Sequence, residues 1–236
     1  MSGVGDNINA PNAGWSFGGD VPRSFDSHVR RSVPLYTEGH DLILRISDYF
    51  LSDNSMVYDL GTATGELLLK LAERHAAPGL RFVGIDREEG MIEEARKKCA
   101  ADGRIEFDCA EMTALELEES DLIVSYYTLQ FVRPAFRQEV FDRIYKSLRW
   151  GGAFLLFEKV RSQDARFQDI MTGIYTDYKL EQGYSSEEVI AKSRSLKGVL
   201  EPFSTQGNYD MLARAGFKDF QTVMKFVSFE GILAIK

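Results

Sequence analysis

Apolar positions recur at helical spacing over about 24–33 and again over 38–51, where Leu42, Ile43, Ile46, Tyr49 and Phe50 fall at i, i+3/i+4 intervals. The period then changes. Met56-Val57-Tyr58-Asp59-Leu60 is a short apolar run that stops at Gly61, and the spacing of Leu67, Leu68 and Leu71 predicts a helix over 65–76. Leu80 to Ile85 reads as a second strand closed by Asp86, followed by a helix marked by Met91, Ile92 and Ala95. Ile105-Glu106-Phe107, Leu122-Ile123-Val124 and Phe154-Leu155-Leu156-Phe157 read as the third, fourth and fifth strands. A helix over 134–148 is expected to turn Phe136, Val140, Phe141, Ile144 and Leu148 inward. Residues 218–236 read as a closing hairpin carrying Val223, Phe226, Val227, Ile232 and Ile235.

Strands that are continuous apolar runs, alternating with helices, signal a parallel sheet covered on both faces. Such sheets bind ligands beyond the carboxyl ends of their strands, beside the switch point. Two stretches stand outside this pattern. Residues 1–24, with Gly3, Gly5, Gly14, Gly18 and Gly19 among Asn, Asp and Pro, read as a flexible N-terminal arm. Its Trp15 and Phe17 either dock on the body or act as a lid over a ligand. Residues 25–236 then form a single domain, with a charged helical insertion over about 160–203 that serves as a cap or a packing appendage.

Composition narrows the function classes. At 236 residues, 44% hydrophobic and 27% charged, the chain suits one globular domain. A net charge of −8 argues against a broad nucleic-acid footprint, with His28-Val29-Arg30-Arg31 the obvious candidate for a local basic patch. Cys99 and Cys109 form no CxxC pair and no His cluster lies near them, so neither a disulfide framework nor a metal site is expected. No apolar run has the length of a membrane span, and the N-terminus lacks a secretory pattern. These features point to a cytoplasmic protein with no membrane partner.

The chemistry concentrates after the first strands. Asp59-Leu60-Gly61-Thr62-Ala63-Thr64-Gly65 joins a strand to a helix, where glycines permit a tight turn and free N–H groups can receive an anion. The spacing fits neither G-x-G-x-x-G nor G-x-x-x-x-G-K-[ST]. Asp86, at the end of the second strand, can accept both hydroxyls of a ribose, and its charge would repel a 2′-phosphate.

This D-x-G-x-x-x-G loop, the acid after the second strand and Trp150-Gly151-Gly152 before the fifth resemble the class I S-adenosylmethionine-dependent methyltransferases. Within them the chain is most similar to the carboxy-S-adenosylmethionine synthases of tRNA wobble-uridine modification. The likeness runs from about Trp15 to Lys236 and rests on Gly14-Trp15-Ser16-Phe17, Arg31-Ser32-Val33-Pro34-Leu35-Tyr36, Thr128-Leu129-Gln130-Phe131, Phe157-Glu158-Lys159, Gln182-Gly183-Tyr184-Ser185 and Ala213-Arg214-Ala215-Gly216-Phe217. The resemblance implies a Rossmann-like α/β fold. Its sheet would be seven-stranded and mostly parallel, with a closing antiparallel hairpin and a helical cap.

It also implies S-adenosylmethionine, or its carboxy form, as cofactor. Tyr36 would touch the amino-acid part, with Gly61, Thr62 and Ala63 beneath it. Asp86 would hold the ribose, with Arg87 beside it. Glu111 and Met112 would meet the adenine, and Tyr126 would face the sulfonium. A homodimer is implied as well. The chain departs from the family at several places: Ala63 replaces the middle glycine, Glu111 an Asp, and Tyr126 an Asn. Ser193 stands where the family has an Arg that pairs with the cofactor carboxylate, and Arg194 follows it.

The leading reading is methyl transfer to a small-molecule acceptor, which needs in-line positioning and exclusion of water rather than acid–base groups. His28 is a candidate base, and Tyr126 and Arg194 are the other candidate catalytic residues. The alternatives are carboxy-S-adenosylmethionine synthesis from a prephenate-like carboxyl donor, and a catalytically silent cofactor-binding protein.

Overall fold

The computed structural model describes residues 2–6 and 8–236. Two short strands, β1 (Ser2–Gly3) and β2 (Asn9–Ala10), pair antiparallel in the N-terminal segment. Helices α1 (Val21–Ser32) and α2 (Tyr36–Ser47) follow. The apolar runs then become β3 (Met56–Leu60), β4 (Arg81–Asp86), β5 (Ile105–Cys109), β6 (Ser120–Tyr126) and β7 (Leu148–Lys159). Between them lie α3 (Glu66–Arg74), α4 (Glu89–Cys99) and α5 (Pro134–Ser147). After β7 come α6 (Ala165–Glu181), α7 (Ser186–Ser195) and α8 (Thr205–Ala215), then β8 (Asp219–Phe226) and β9 (Phe229–Ile235).

The seven long strands form one sheet in the order β5-β4-β3-β6-β7-β9-β8. Six run in one direction; β9 runs against both its neighbours. Alternation along each strand feeds two cores. Val57, Phe82, Val124 and Leu155 pack with Leu68 and Leu71 of α3 on one face. Tyr58, Val83, Ile123 and Phe154 pack with Phe141 and Ile144 of α5 and Leu212 of α8 on the other. Burial on both faces explains why these strands read as unbroken apolar runs. The chain leaves β3 toward β4 and β5 and returns to β6 on the other side, so the switch point lies between β3 and β6.

Two local expectations are corrected. β7 starts at Leu148, well before the apolar run at Phe154, because Gly151 (φ 80°) and a register shift between Ser120 and Leu122 absorb an irregularity that a strand pattern does not show. In α5, Phe136 is exposed and Arg137 is buried instead. The Arg137 guanidinium donates to the carbonyls of Val132 (2.8 Å) and Gln130 (2.9 Å), which lets a cation sit inside.

The N-terminal segment lies folded on the body. Val4, Ala10 and Trp15 are buried, and the N–H groups of Ala13 and Trp15 donate to the carbonyls of Arg194 and Ser195 at the end of α7. No helix among the described residues is long and apolar enough to cross a membrane.

The loop after β3 bends sharply. Gly61 (φ 80°) and Ala63 (φ 48°) are both left-handed, and a Cβ on Gly61 would lie 2.1 Å from Thr128 Cγ2. The middle position of the loop therefore has a backbone reason to prefer glycine, since a Cβ in this region costs roughly 1–2 kcal/mol. Ala63→Gly should raise unfolding stability by up to about 1 kcal/mol after the extra flexibility of the unfolded glycine is subtracted. Urea denaturation checks this, and a loss of stability would contradict the assigned backbone.

Candidate active site

A cavity of ≈ 1000 Å³ opens beyond the carboxyl ends of β3, β4 and β6. Tyr36, Gly61, Thr62, Ala63, Asp86, Arg87, Glu111, Met112, Tyr126 and His28 all line it. The loop is pinned to the neighbouring strand: Gly61 N–H and Thr62 N–H donate to the Ile85 carbonyl at 2.7 and 3.0 Å. Asp86 completes the clamp, accepting from Ala63 N–H and Glu88 N–H, each at 3.0 Å. Burial raises its pKa. A carboxylate has about four acceptor positions, so two remain for ribose hydroxyls.

At the end of the cavity near α2 and α3, several buried polar atoms have no partner: Asp59 Oδ1, Thr62 Oγ1, Glu66 Oε2 and His40 Nε2. Burial lifts the Asp59 carboxyl to about 7. Two acidic side chains with orphan oxygens suit the α-ammonium group of an amino acid, which needs acceptors and brings positive charge. These residues fit S-adenosylmethionine: Asp59 and Glu66 for its ammonium, Asp86 for its ribose, and Glu111 and Met112 at the outer rim for its base. Asp59 was legible only as the first residue of the loop motif, and nothing in the sequence showed that its oxygen is unpaired.

Three candidates take different roles from those expected. The Tyr126 hydroxyl donates to the Tyr36 carbonyl at 2.6 Å, and its ring packs against Tyr36, His40, Tyr127 and Phe157. It is a buried wall, accommodated because residue 39 is glycine: a Cβ there would lie 2.1 Å from the hydroxyl oxygen. Arg194 is exposed and forms no part of the cavity wall, whereas Ser193 does. One residue along a helix turns a side chain by about 100°, so Arg194 does not inherit its neighbour's direction. His28 is buried, paired through Nδ1 with Asp6 and through Nε2 with Lys192.

The other end of the cavity is cationic. Lys179 and Lys192 are buried and Lys159 half-buried, and all three line the wall. Burial lowers Lys159 and Lys179 to about 8, and burial with Lys179 nearby holds Lys192 well below the usual lysine range. Among the described residues none of the three forms an ion pair; Asp6, whose charge acts on Lys179 and Lys192, is already shared by His28, Arg31 and Tyr184. Lys159 lies over the Tyr175 ring at 4.2 Å, and Lys192 over Trp15 at 2.7 Å, measured to the centroids. Sequence reading missed this trio. Lys159 ends a strand at the ligand side of the sheet, which is a usable signal. Lys179 and Lys192 stand in polar helices with nothing to mark them as buried.

The sheet order, the loop and the acid after β4 define an S-adenosylmethionine-dependent enzyme of the methyltransferase class, and residues 57–152 match a methyltransferase domain. A putative S-adenosylmethionine-dependent methyltransferase from Methanococcus maripaludis superposes with a TM-score of 0.62 at 18% identity, covering 98% of this chain and 97% of that one. Human N-acetylserotonin methyltransferase in complex with its cofactor gives 0.55 at 19% identity, over 89% of this chain and 58% of that one. Sequence likeness is closer to one branch. The carboxy-S-adenosyl-L-methionine synthases of Nautilia profundicola (38% identity) and Campylobacter lari (37%) align over 94% of this chain and 94% of their own. The synthase of Staphylococcus epidermidis is 37% identical over 94% and 97%. The chain belongs to the carboxy-S-adenosyl-L-methionine synthase family, and S-adenosylmethionine is its cofactor.

Two outcomes follow from this geometry. Asp86→Ala should weaken S-adenosylhomocysteine binding by about 2–4 kcal/mol, and should also cost stability because it frees two backbone N–H groups. Asp86→Asn separates the two effects; calorimetry that shows unchanged affinity in both variants would remove Asp86 from the site. The second outcome concerns acid. Burial and Lys192 lower His28 to about 4, and burial and Lys70 lower His40 to about 3. An unfolded histidine takes its proton near pH 6.5, so below that pH the unfolded chain binds more protons than the folded one. Stability should therefore fall as pH drops from about 6.5 toward 4, by up to about 1.4 kcal/mol per pH unit for each histidine. A melting temperature that is flat between about pH 7 and 5 would contradict the buried neutral rings.

Proposed function

We propose that this enzyme makes carboxy-S-adenosylmethionine from a small, prephenate-like anionic donor: the donor's bond to its carboxyl group breaks with expulsion of its hydroxide, the hydroxide takes the proton lost by the methyl carbon of S-adenosylmethionine, and that carbon bonds the released carboxyl carbon. The lysine-lined end of the cavity carries this reading. A methyl acceptor would be served by an uncharged, water-excluding pocket, whereas this end of the cavity is lined by Lys159, Lys179 and Lys192. Three lysines without an acidic partner among the described residues, two of them buried, suit a donor bearing carboxylates. When bound, the cofactor supplies a sulfonium that acidifies its methyl C–H bonds. The chain orients the donor through Lys159, Lys179 and Lys192, and the buried rings of Trp15 and Tyr126 with the half-buried Tyr175 keep bulk water away.

Methyl transfer to a small-molecule acceptor stands as a second reading because of Ser193. Its hydroxyl offers one neutral hydrogen bond where an Arg would offer a charged fork for the product's carboxylate. Product mass after incubation with S-adenosylmethionine and prephenate separates the two. A cofactor heavier by one carboxylate is expected, and Lys179→Met should abolish it while sparing S-adenosylhomocysteine binding. Formation of S-adenosylhomocysteine alone would favour methyl transfer. Donor binding should also take up protons, because an anion beside lysines of lowered pKa restores their charge; affinity should therefore rise as pH falls from about 9 to 7.

We also place the enzyme in the cytoplasm as a homodimer. Phe167, Ile170 and Ile174 lie along one face of α6 and are 51%, 49% and 43% exposed, an apolar stripe that a second copy would cover. Light scattering should give a dimer mass, shifted to monomer by Ile170→Glu; a wild-type monomer would refute it.

A further inference from the structure

The N-terminal segment reaches the cationic end of the cavity through one buried polar chain. Asp6 sits in the turn between β1 and β2 with a left-handed backbone (φ 55°). Its carboxylate accepts from Arg31 Nη1 at 2.5 Å and from the Tyr184 hydroxyl at 2.6 Å, and pairs with His28 Nδ1. Burial alone would raise Asp6, but the bonds from Tyr184 and His28 and the charge of Arg31 hold it below the ordinary carboxylate range. An ionised carboxylate requires the proton on Nδ1, so the network assigns His28 the Nδ1–H tautomer and leaves Nε2 an acceptor.

His28 Nε2 lies 3.1 Å from Lys192 Nζ and 3.5 Å from Ser32 Oγ. Trp15, from the same N-terminal segment, stacks on His28 and lays its ring under the same lysine nitrogen. The charged and titratable groups facing this chain are Asp6 from the segment, Arg31 from α1, Lys179 from α6 and Tyr184 before α7. Of these only Asp6 is acidic.

We propose that Asp6, acting through His28, positions Lys192 as an anion-binding group of the cavity, so that the N-terminal segment is part of the donor site. The inference rests on the anionic-donor reading above. The Nε2 lone pair takes one N–H of Lys192 and fixes the direction of Nζ, leaving its other hydrogens for a carboxylate in the cavity. Without Asp6 the imidazole can carry its proton on Nε2. A donor would then face a donor, and Lys192 would lose its orientation.

Long-range nitrogen–proton NMR of the full chain reads the tautomer directly: wild-type His28 should show a protonated Nδ1 and a bare Nε2 near neutral pH. Malonate serves as a dicarboxylate probe, titrated by calorimetry into protein saturated with S-adenosylhomocysteine. Asp6→Asn should mix the tautomers and weaken malonate by about fivefold or more, leaving S-adenosylhomocysteine affinity unchanged, and Asp6→Glu should restore both. A proton on Nε2 in the wild type would overturn the inference. So would wild-type malonate affinity in a folded Asp6→Asn, and if Lys192→Met then lost malonate, the anionic-donor reading would stand without the relay. A wild type that binds no malonate would overturn both.

Discussion

Three backbone N–H groups, from residues 61, 62 and 63, hang on the end of β4, two on the Ile85 carbonyl and one on the Asp86 carboxylate. This clamp fixes the left-handed turn after β3, and the turn sets where a cofactor can lie. It depends on the parallel register that places Leu60 beside Ile85, and so on burial of both faces of the sheet. It also explains a compromise in the sequence: Ala63 keeps a positive φ that glycine would hold more cheaply, because the loop's bonds over-determine it.

The cavity divides by charge. Near α2 and α3 it presents Asp59, Glu66 and Asp86; beneath α6 and α7 it presents Lys159, Lys179 and Lys192. An isolated buried ion costs several kcal/mol even after relaxation, roughly speaking, and unpaired ammonium groups persist only where a ligand completes them or their charge is partly given up. The second holds here: the lysines are shifted down in pKa, and all three open onto the cavity. The polarity matches a cofactor with an ammonium at one end and a donor with carboxylates at the other. That separation, rather than any single catalytic side chain, is what the fold supplies.

The fold was legible because each layer of it leaves a periodic trace. The apolar runs at 56–60 and 122–124 and the hairpin at 218–236 carry their own burial, and Gly61 and Asp86 fall at strand ends where parallel sheets place their ligands. The residues expected on the cofactor side line the cavity for the same reason. The rest depended on contacts between distant segments. Nothing local distinguishes Lys179 or Lys192 from solvated helix residues, Arg137 from Phe136 as the inward side chain, or Asp6 from any turn acid. Arg194 attracted attention as the cation next to Ser193, where the family has an Arg, and helical geometry keeps it off the cavity wall that Ser193 lines. Tyr126 stood at the right strand end, but its hydroxyl was already matched to the Tyr36 carbonyl, a pairing that Gly39 makes room for.

The central claim is that the acidic end of the cavity holds the amino acid and ribose of S-adenosylmethionine while the lysine end holds a carboxylate. Native mass spectrometry of freshly purified protein tests it most directly, because a cofactor that satisfies both ends should survive purification. The account predicts a co-purifying sulfonium heavier than S-adenosylmethionine by one carboxylate, lost from Lys179→Met. Protein that carries only S-adenosylmethionine or S-adenosylhomocysteine, with the same occupancy in Lys179→Met, would contradict it.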